Sequence, residues 1–236
     1  MSKSNKMIRS QNITYYDKIA ASYDAILNDH AKNDFIRSKV AKKLSALLQT
    51  GTVLDFGGGT GQDLNWLVKN DYNIIFCEPS PAMRKIAIEK KQLQFQNAEI
   101  LFLENDTTDF SIWHQSLPFE EKVDAVLANF AVLNCILNVE LLFANLALVT
   151  APNANIVLLL LDYSYKQKIH LNFFDAVSSF LSKKTMEIKI PFDNSEQLVY
   201  LHSLKSIKNA AADYFEFKSA ERLHEYGFSL IHLIKK

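Results

Sequence analysis

The spacing of hydrophobic residues along the chain changes at Thr52. Before it, apolar residues recur about one helical turn apart over residues 32–49, with Lys and Arg on the opposite side, which predicts an amphipathic helix. After it come short, nearly continuous apolar runs, which are typical of strands buried on both faces of a parallel sheet. We predict such strands over residues 52–56, 73–78, 98–104, 123–129 and 155–162.

Helical patterns lie between these strands. We predict helices over residues 62–70 and 141–149, and another that begins at Pro81 with Ser80 as its N-cap. Strand and helix therefore alternate throughout this part of the chain. That order is typical of a doubly wound α/β sheet with helices on both faces.

The alternation ends at Asp162. Residues 163–200 are rich in Tyr and Phe and contain one predicted strand, with the sequence EIKIPF. They match neither the helical nor the strand period over their length. We expect them to form an insertion over one end of the sheet.

Two more strands are predicted after a helix over residues 203–212. Residues 214–223 and 228–236 are joined around Gly227, and this pattern predicts an antiparallel hairpin that closes the sheet edge. With the five parallel strands before it, the hairpin gives a seven-stranded, mostly parallel α/β sheet that contains one antiparallel strand. The length suits a single domain over residues 1–236.

The N-terminal segment shows no comparable pattern. Residues 1–12 are polar, and residues 13–29 mix aromatic residues and helix formers without a clean period. We expect residues 1–30 to form a lid or cap beside the core.

Charge and composition exclude several classes of protein. Lys and Arg total 26 and Asp and Glu total 26, whereas a general nucleic-acid-binding or polybasic membrane-surface protein would be basic. Cys77 and Cys135 do not make a disulfide framework in a chain of this size. The longest apolar run, Ile156 to Leu161, is too short to span a bilayer, and the polar N-terminus lacks a signal-peptide core. We expect a cytoplasmic monomer or homodimer with free thiols.

The most informative segment is the turn after the first strand, V-L-D-F-G-G-G-T-G over residues 53–61. Such a turn lets backbone N–H groups and a helix N-terminus approach a ligand closely. The dinucleotide fingerprint G-x-G-x-x-G does not fit, because Gln62 stands where its last glycine would be. A carboxylate beside the turn would repel a pyrophosphate and suits a ligand with a positively charged amine. The spacing that fits is D-x-G-x-G-x-G, formed by Asp55, Gly57, Gly59 and Gly61.

This segment resembles the first motif of the class I S-adenosylmethionine-dependent methyltransferases, and the resemblance extends over roughly residues 13–162. It implies a Rossmann-like fold, S-adenosylmethionine as cofactor, and methyl transfer to an oxygen or nitrogen of a small molecule. It also implies that the turn lies along the methionine part of the cofactor and that Asp55 helps to hold its ammonium group. Two alternatives stay open: a protein that binds the cofactor or a partner without transfer, and a nicotinamide-dependent oxidoreductase, which Asp55 and Gln62 disfavour.

The resemblance assigns roles to residues at the ends of later strands. It implies that Glu78 accepts hydrogen bonds from the ribose hydroxyls and that Met83 packs on the adenine. It implies that Asp106, followed by Thr107, accepts from the adenine amino group, and that Asn129 lies beside the transferring methyl. Plainer interpretations exist for three of them: a surface acid for Glu78, core packing for Met83, and a turn or cap for Asp106.

Two tyrosines of the N-terminal segment, Tyr16 and Tyr23, also match the family. The resemblance implies that they fold over the cofactor as part of a lid. In the alternative interpretation, residues 13–29 are a permanently docked helix, and the tyrosines pack it onto the core.

The acceptor side is less defined by the sequence. The resemblance implies that residues 163–200 line the acceptor pocket. His202 is the first candidate for a general base, since the ordinary pKa of histidine is near neutral, although a single histidine is more often structural. The other candidates are Asp162, Tyr163 and His170.

Two classes of partner are predicted to be absent. No group of His, Cys and Asp residues has metal-ligand spacing, so we predict no metal. Residues 123–134 lack the N/D-P-P-Y/F motif of the nucleic-acid amino-methyltransferases, and Cys135 lacks the preceding Pro of the cytosine C5 enzymes. Together with the zero net charge, this predicts a small-molecule acceptor and no nucleic acid.

Overall fold

The computed structural model describes residues 3–26, 30–161, 185–192, 195–223 and 225–236. Within these ranges the α-helices are α1 (Lys3–Ile26), α2 (His30–Leu47), α3 (Leu64–Lys69), α4 (Pro81–Gln94), α5 (Val139–Val149) and α6 (Leu204–Ala211). The strands are β1 (Thr52–Phe56), β2 (Asn73–Cys77), β3 (Ile100–Phe102), β4 (Val123–Ala128), β5 (Thr150–Leu161), β6 (Met186–Phe192), β7 (Ser195–Leu201), β8 (Phe215–Leu223) and β9 (Phe228–Lys235).

Seven strands form one sheet in the order β3-β2-β1-β4-β5-β9-β8. Strands β1 to β5 are parallel, whereas β9 runs antiparallel to both of its neighbours, β5 and β8. The prediction of a seven-stranded, mostly parallel sheet with a C-terminal antiparallel hairpin is therefore confirmed. In the turn between β8 and β9, Gly227 has a φ of 75°, a left-handed conformation that glycine adopts without strain.

Apolar side chains cover both faces of the sheet. On one face, α2 buries Ile36, Val40 and Leu44 completely. On the other face, Phe143 of α5 and Ile207 of α6 are equally buried. The central strands therefore have an apolar neighbour on either side, which explains why their sequences are continuous apolar runs. The doubly wound arrangement is confirmed.

Some element boundaries differ from those predicted. β3 is limited to Ile100–Phe102 because it is the edge strand and pairs only with β2. β5 begins earlier than expected, since Thr150 already pairs with Val123 before a shift of register leads into the continuous pairing. The predicted cap of α4 is confirmed, because the Ser80 hydroxyl accepts from the Met83 N–H at 3.2 Å.

The N-terminal segment is a helix, which the sequence pattern did not predict. α1 buries Tyr15, Ile19 and Ala20 on one face. These side chains pack against Met83 of α4. Tyr15 and Ile19 are four residues apart and share a helix face, but the polar residues and tyrosines around them hide this period. The irregular segment expected here is corrected to a helix as far as Ile26.

Strands β6 and β7 form a separate antiparallel hairpin beside the main sheet. The strand predicted from EIKIPF is confirmed as β6, whereas its partner β7 was not predicted. The side-chain amide of Asn12 in α1 holds β7 by donating to the Leu198 carbonyl and accepting from its N–H, both at 3.0 Å. The other parts of the predicted insertion, residues 163–184 and 193–194, lie outside the described residues.

None of the helices in the described ranges is both long enough and apolar enough to cross a membrane. The same ranges hold no group of three or more His, Cys, Asp or Glu side chains arranged to bind a metal ion. Cys77 and Cys135 are both free thiols.

Candidate functional site

The glycine turn follows β1 at the carboxyl edge of the sheet. Gly57, Gly59 and Gly61 have φ values of 78°, 58° and 78°, which residues with side chains rarely adopt. A Cβ atom on Gly57 would lie 2.5 Å from Val132 Cγ1. One on Gly61 would lie 2.8 Å from Leu64 Cδ1. The turn therefore needs glycine for its backbone conformation and for close packing on two sides.

A cavity opens beside this turn, at the carboxyl ends of the parallel strands, where open α/β sheets bind ligands. It encloses about 1400 Å³, including the space at its open mouth. It extends from the glycine turn along α1 to the segment between β4 and α5. Residues on its wall include Asn12, Tyr16, Tyr23, Arg37, Gly57, Gly59, Glu78, Met83, Thr108, Asp109, Asn129, Phe130, Val132 and Cys135.

The structure brings one group of predicted site residues together on this wall. They come from five separate parts of the sequence, which the carboxyl ends of neighbouring strands bring to one edge. On the wall are Tyr16, Tyr23, Gly57, Gly59, Glu78, Met83 and Asn129. Away from it are Asp55, Gly61, Asp106, Thr107 and His202.

Glu78 lies directly after β2 and is buried, yet both of its carboxylate oxygens have partners. Oε2 accepts from the Gly59 N–H at 2.9 Å, and Oε1 accepts from the Ser80 N–H at 2.7 Å. Burial raises the pKa of Glu78 to about 7, while the two backbone hydrogen bonds and the charge of Arg84 oppose this rise. The acid therefore joins the glycine turn to the start of α4 on the cavity wall.

Asp55 lies in β1 beneath the turn, with 1% of its surface exposed. Its Oδ2 atom has no hydrogen-bond partner among the described residues, and a Cβ atom on Gly58 would lie 2.7 Å from it. Burial raises the pKa of Asp55 well above its usual range, and the nearby Asp63 adds to the rise while Arg37 opposes it. A buried carboxylate oxygen without a partner is unusual and calls for an explanation.

Arg37 reaches the cavity from α2 and was not among the predicted site residues. Its guanidinium lies 2.5 Å from the Asp63 carboxylate and 4.6 Å from the centroid of the Phe130 ring. Asp63 also accepts from the Asn129 amide at 2.9 and 3.1 Å, and from the Trp66 indole at 2.7 Å. In the sequence, Arg37 is one of several basic residues on the polar side of a helix, so no pattern distinguished it.

The chain bends sharply after β4. Phe130 and Ala131 have φ values of 49° and 65°, a left-handed conformation that costs residues with side chains on the order of 1 kcal/mol each. The Asn129 side chain supports this bend by accepting from the Phe130 N–H at 3.0 Å. Backbone strain of this kind is concentrated at ligand sites.

Tyr16 and Tyr23 both project from α1 to the cavity wall. Their rings meet edge to face, with centroids 6.1 Å apart. Burial raises the pKa of each tyrosine above its usual range, and the neighbouring Cys135 adds to the rise. Both hydroxyl groups therefore stay protonated at neutral pH.

Two carboxylates that the sequence did not single out fix α1 over the site. Asp17 accepts from the Ser80 hydroxyl at 2.6 Å, at the start of α4. Asp24 accepts from the Thr60 hydroxyl at 2.5 Å, within the glycine turn itself, and pairs with Lys90 at 2.7 Å. Acidic residues on a helix are usually solvated, so their pairing could not be predicted without the positions of α4 and the turn.

Asp106 and Thr107 are exposed and lie off the cavity wall. The Thr107 hydroxyl bonds to the backbone of Glu104, accepting from its N–H at 2.9 Å and donating to its carbonyl at 2.6 Å. The next two residues, Thr108 and Asp109, line the cavity instead. Because of the short 3-10 turn, the residues that line the cavity stand one to three positions later in the sequence than Asp106 and Thr107, which the resemblance had indicated.

His202 is buried behind the site, with 1% of its surface exposed. Its Nε2 lies 2.9 Å from the Ile136 carbonyl and therefore donates, and its Nδ1 lies 3.1 Å from the Thr185 hydroxyl, from which it accepts. Burial lowers the pKa of His202. Both ring nitrogens are engaged within the protein, so this geometry gives no support to the prediction of a general base at this position. The other base candidates, Asp162, Tyr163 and His170, lie outside the described residues.

Sequence comparison identifies one family. A model of the methyltransferase domain matches residues 29–215, which covers α2, the glycine turn, the five parallel strands and the hairpin of β6 and β7. No curated protein sequence matches the chain.

Solved structures share the fold at low sequence identity. The complex of DhpI with SAH superposes with a TM-score of 0.68 at 14% identity, covering 99% of this chain and 98% of that one. The Burkholderia thailandensis 1,6-didemethyltoxoflavin-N1-methyltransferase, with bound 1,6-didemethyltoxoflavin and S-adenosylhomocysteine, gives a TM-score of 0.69 at 13% identity, covering 100% and 92%. SAM-bound CalS10, an amino pentose methyltransferase from Micromonospora echinaspora, gives 0.58 at 15% identity, covering 85% and 90%.

Proposed function

The chain belongs to the methyltransferase domain family and is an S-adenosylmethionine-dependent methyltransferase, and on this premise we propose that it methylates an oxygen or nitrogen atom of a small molecule. The observation that carries the proposal is the continuity of the cavity. One space of about 1400 Å³, including its open mouth, is lined both by the glycine turn and by Tyr16 and Cys135. A nucleoside-sized cofactor and a small acceptor are accommodated side by side in such a space.

The charged groups around the turn fit S-adenosylmethionine. Its sulfonium supplies an electrophilic methyl group. The ionised form of Glu78 offers negative charge on the cavity wall, where two ribose hydroxyls would need it. Asp55 lies beneath the glycine turn with an unpartnered Oδ2, and a bound ammonium would favour its ionised form. We assign Asp55 to the ammonium, through the glycine turn, and Glu78 to the ribose.

Arg37 completes this set with positive charge. Its guanidinium lies on the cavity wall and already contacts Asp63, so it keeps further N–H donors for a carboxylate. We assign Arg37 to the carboxylate of the methionine part. Met83 is assigned to the adenine, with Thr108 and Asp109 on the same part of the wall in place of Asp106 and Thr107.

The other end of the cavity supports a small acceptor. Asn12 and Ile13 of α1 line the cavity together with Ile136, and the Asn12 amide donates to the Cys135 carbonyl at 3.4 Å. In the described residues, apolar side chains and amides dominate this end. Two structural neighbours are named as a 1,6-didemethyltoxoflavin-N1-methyltransferase and an amino pentose methyltransferase, which adds support for acceptors of this size.

The protein's part in the reaction is to orient the acceptor and to exclude water. Residues 1–30, which include α1, would act as the lid over the cavity, and Asp17 and Asp24 would hold it in place. Residues 163–200 would complete the acceptor pocket. Asn129 is assigned to the space beside the transferring methyl. The two free thiols support a cytoplasmic location. A monomer or a homodimer, with no nucleic acid as substrate, is expected.

The proposal is tested by binding first and by transfer second. Calorimetry with S-adenosylmethionine, S-adenosylhomocysteine and NADH should show binding of the first two and none of NADH. The protein is then incubated with methyl-labelled S-adenosylmethionine and a panel of small phenols, amines and heteroaromatic compounds. Labelled product with oxygen or nitrogen nucleophiles supports the proposal. Cofactor binding with labelling of protein or RNA only, when those are supplied, would contradict it.

A further inference from the structure

α1 contacts β7 through two of its side chains, beside the part of the cavity assigned to the acceptor. Asn12 and Tyr16 are one helical turn apart, and they bond to consecutive residues of β7. The Asn12 amide makes two hydrogen bonds of 3.0 Å with the backbone of Leu198. The side-chain amide of Gln197 donates to the Tyr16 hydroxyl oxygen at 2.6 Å. Because Asn12 fixes the position of β7 along α1, Gln197 is held directly against Tyr16.

This contact decides where the Tyr16 proton points. Gln197 supplies the hydrogen of their bond, so the phenolic hydrogen of Tyr16 must be directed to another acceptor. The neighbour found for it among the described residues is Cys135 Sγ at 3.4 Å, and a thiol sulfur is a weak acceptor. A carbonyl oxygen or ring nitrogen placed in the cavity would therefore be a better partner for this hydrogen.

The surroundings keep Tyr16 as a donor. Burial raises its pKa well above the usual range, and Cys135 adds to the rise, so the hydroxyl does not ionise at neutral pH. Ile136 follows Cys135 in the chain and lines the cavity, as do Val132 and Leu141. A hydrogen bond made in such apolar surroundings is stronger than one made in water.

We infer that Gln197 is a positioning residue that presents the Tyr16 hydroxyl as a hydrogen-bond donor to the methyl acceptor. The acceptor therefore carries a hydrogen-bond-accepting atom, such as a ring nitrogen or a carbonyl oxygen, at or beside the atom that is methylated. This inference rests on the proposed transfer to a small molecule and adds a chemical class to it.

The test compares two probes of the same shape on the protein saturated with S-adenosylhomocysteine. Quinoline has a ring nitrogen that accepts a hydrogen bond, and naphthalene does not. Dissociation constants from NMR titration should favour quinoline by about fivefold, the size of one neutral hydrogen bond. Tyr16→Phe removes the donor and should abolish this preference while leaving naphthalene binding unchanged.

Gln197→Glu provides the decisive variant. It keeps the shape of the side chain but can only accept, so the Tyr16 hydrogen turns toward residue 197 and away from the cavity. The quinoline preference should then disappear even though Tyr16 is intact. Gln92→Glu, an exposed change of the same kind on α4, should keep the preference. A role of Gln197 in folding alone would lower the melting temperature without changing the ratio of the two dissociation constants.

The outcomes separate this inference from the proposed function. Failure of the wild-type protein to bind S-adenosylhomocysteine would remove both. With S-adenosylhomocysteine bound, equal affinity for the two probes, or failure to bind either, would overturn the donor role of Tyr16 alone. A quinoline preference that survives Tyr16→Phe or Gln197→Glu would overturn it as well.

Discussion

The Glu78 carboxylate accepts a hydrogen bond from the Gly59 N–H at 2.9 Å, so the acid after the second strand and the middle glycine of the first turn form one unit. Gly59 has a φ of 58°, and a Cβ atom on it would lie 4.0 Å from Tyr23 Cε1, an ordinary contact, whereas a Cβ atom on Gly57 or Gly61 would clash. The position of the turn over the cavity therefore depends on the ionisation state of Glu78.

This dependence predicts that cofactor affinity changes with pH. In the free protein, burial raises the pKa of Glu78 from 4.5 to about 7, so its contribution to stability falls as pH rises through this interval. Ribose hydroxyls favour the ionised form, so binding has the opposite slope. Calorimetry should show S-adenosylhomocysteine binding about tenfold more weakly at pH 6 than at pH 8. Glu78→Gln should bind weakly at both values; an unchanged slope in that variant would assign the effect to another group.

The two predicted acid contacts to the nucleoside should differ strongly in strength. Glu78→Ala should weaken S-adenosylhomocysteine binding by roughly 1–3 kcal/mol, because two hydroxyl groups lose a charged acceptor. Asp106→Ala should change the affinity by only a few tenths of a kcal/mol, since the side chain is exposed and off the cavity wall. Calorimetry decides; an equal loss at Asp106 would mean that this acid moves into the site when the cofactor binds.

Arg37 should discriminate between two adenosine ligands. S-adenosylhomocysteine has the carboxylate that Arg37 is assigned to hold, and 5′-methylthioadenosine has none. Arg37→Met should weaken the first by at least about tenfold and leave the second nearly unchanged. Lys39→Met, a change on the same helix but off the cavity wall, serves as the control. If both ligands lost the same affinity, Arg37 would act only through its ion pair with Asp63.

The lid hypothesis predicts that α1 is protected by the cofactor. Hydrogen exchange of residues 13–26 should slow when S-adenosylhomocysteine is added. Asp17→Ala should speed exchange in the free protein, because the contact with Ser80 at the start of α4 is lost. Asp34→Ala on α2 is the matched control, since that residue is exposed. Exchange that is already slow and does not change on binding would make Tyr16 and Tyr23 ordinary packing residues.

His202 should matter for stability and little for binding. His202→Gln should lower the free energy of unfolding by roughly 1–3 kcal/mol, because it disturbs the buried bonds to Ile136 and Thr185. Burial lowers the pKa of His202, so its contribution is present above the ordinary histidine value and is lost as pH falls below it. Urea unfolding at pH 7.5 and pH 5.5 measures both effects. A large loss of transfer rate without loss of stability would instead return His202 to the reaction.

The parallel part of the sheet was predictable from the sequence because each of its strands contains a short, nearly continuous apolar run. The glycine turn was predictable because Gly57, Gly59 and Gly61 serve a backbone conformation that few other residues adopt. In both cases, burial of a strand or a left-handed backbone restricts which residue types can stand at each position, so the sequence itself shows the requirement.

Contacts between distant elements were not predictable in this way. The helical face of α1 depends on the place of Met83 in α4, and the role of Asp24 depends on the position of Thr60. Arg37 differs from other basic residues of its helix only through the cavity it faces. A single sequence does not show these distances as a pattern of residue types. For this reason the buried face of α1, the contact between Asp24 and Thr60, and the place of Arg37 on the cavity wall were not predicted.

The place of β9 has a consequence for how the chain assembles. β9 lies inside the sheet, between β5 and β8, although it is the last of the seven strands along the chain. During synthesis, all six other strands leave the ribosome before Phe228–Lys235, the strand that joins β8 to the rest. Until then β5 presents a long apolar edge with unpaired backbone groups. The nascent chain is therefore more exposed to pairing with another copy of itself during this interval than after folding is complete.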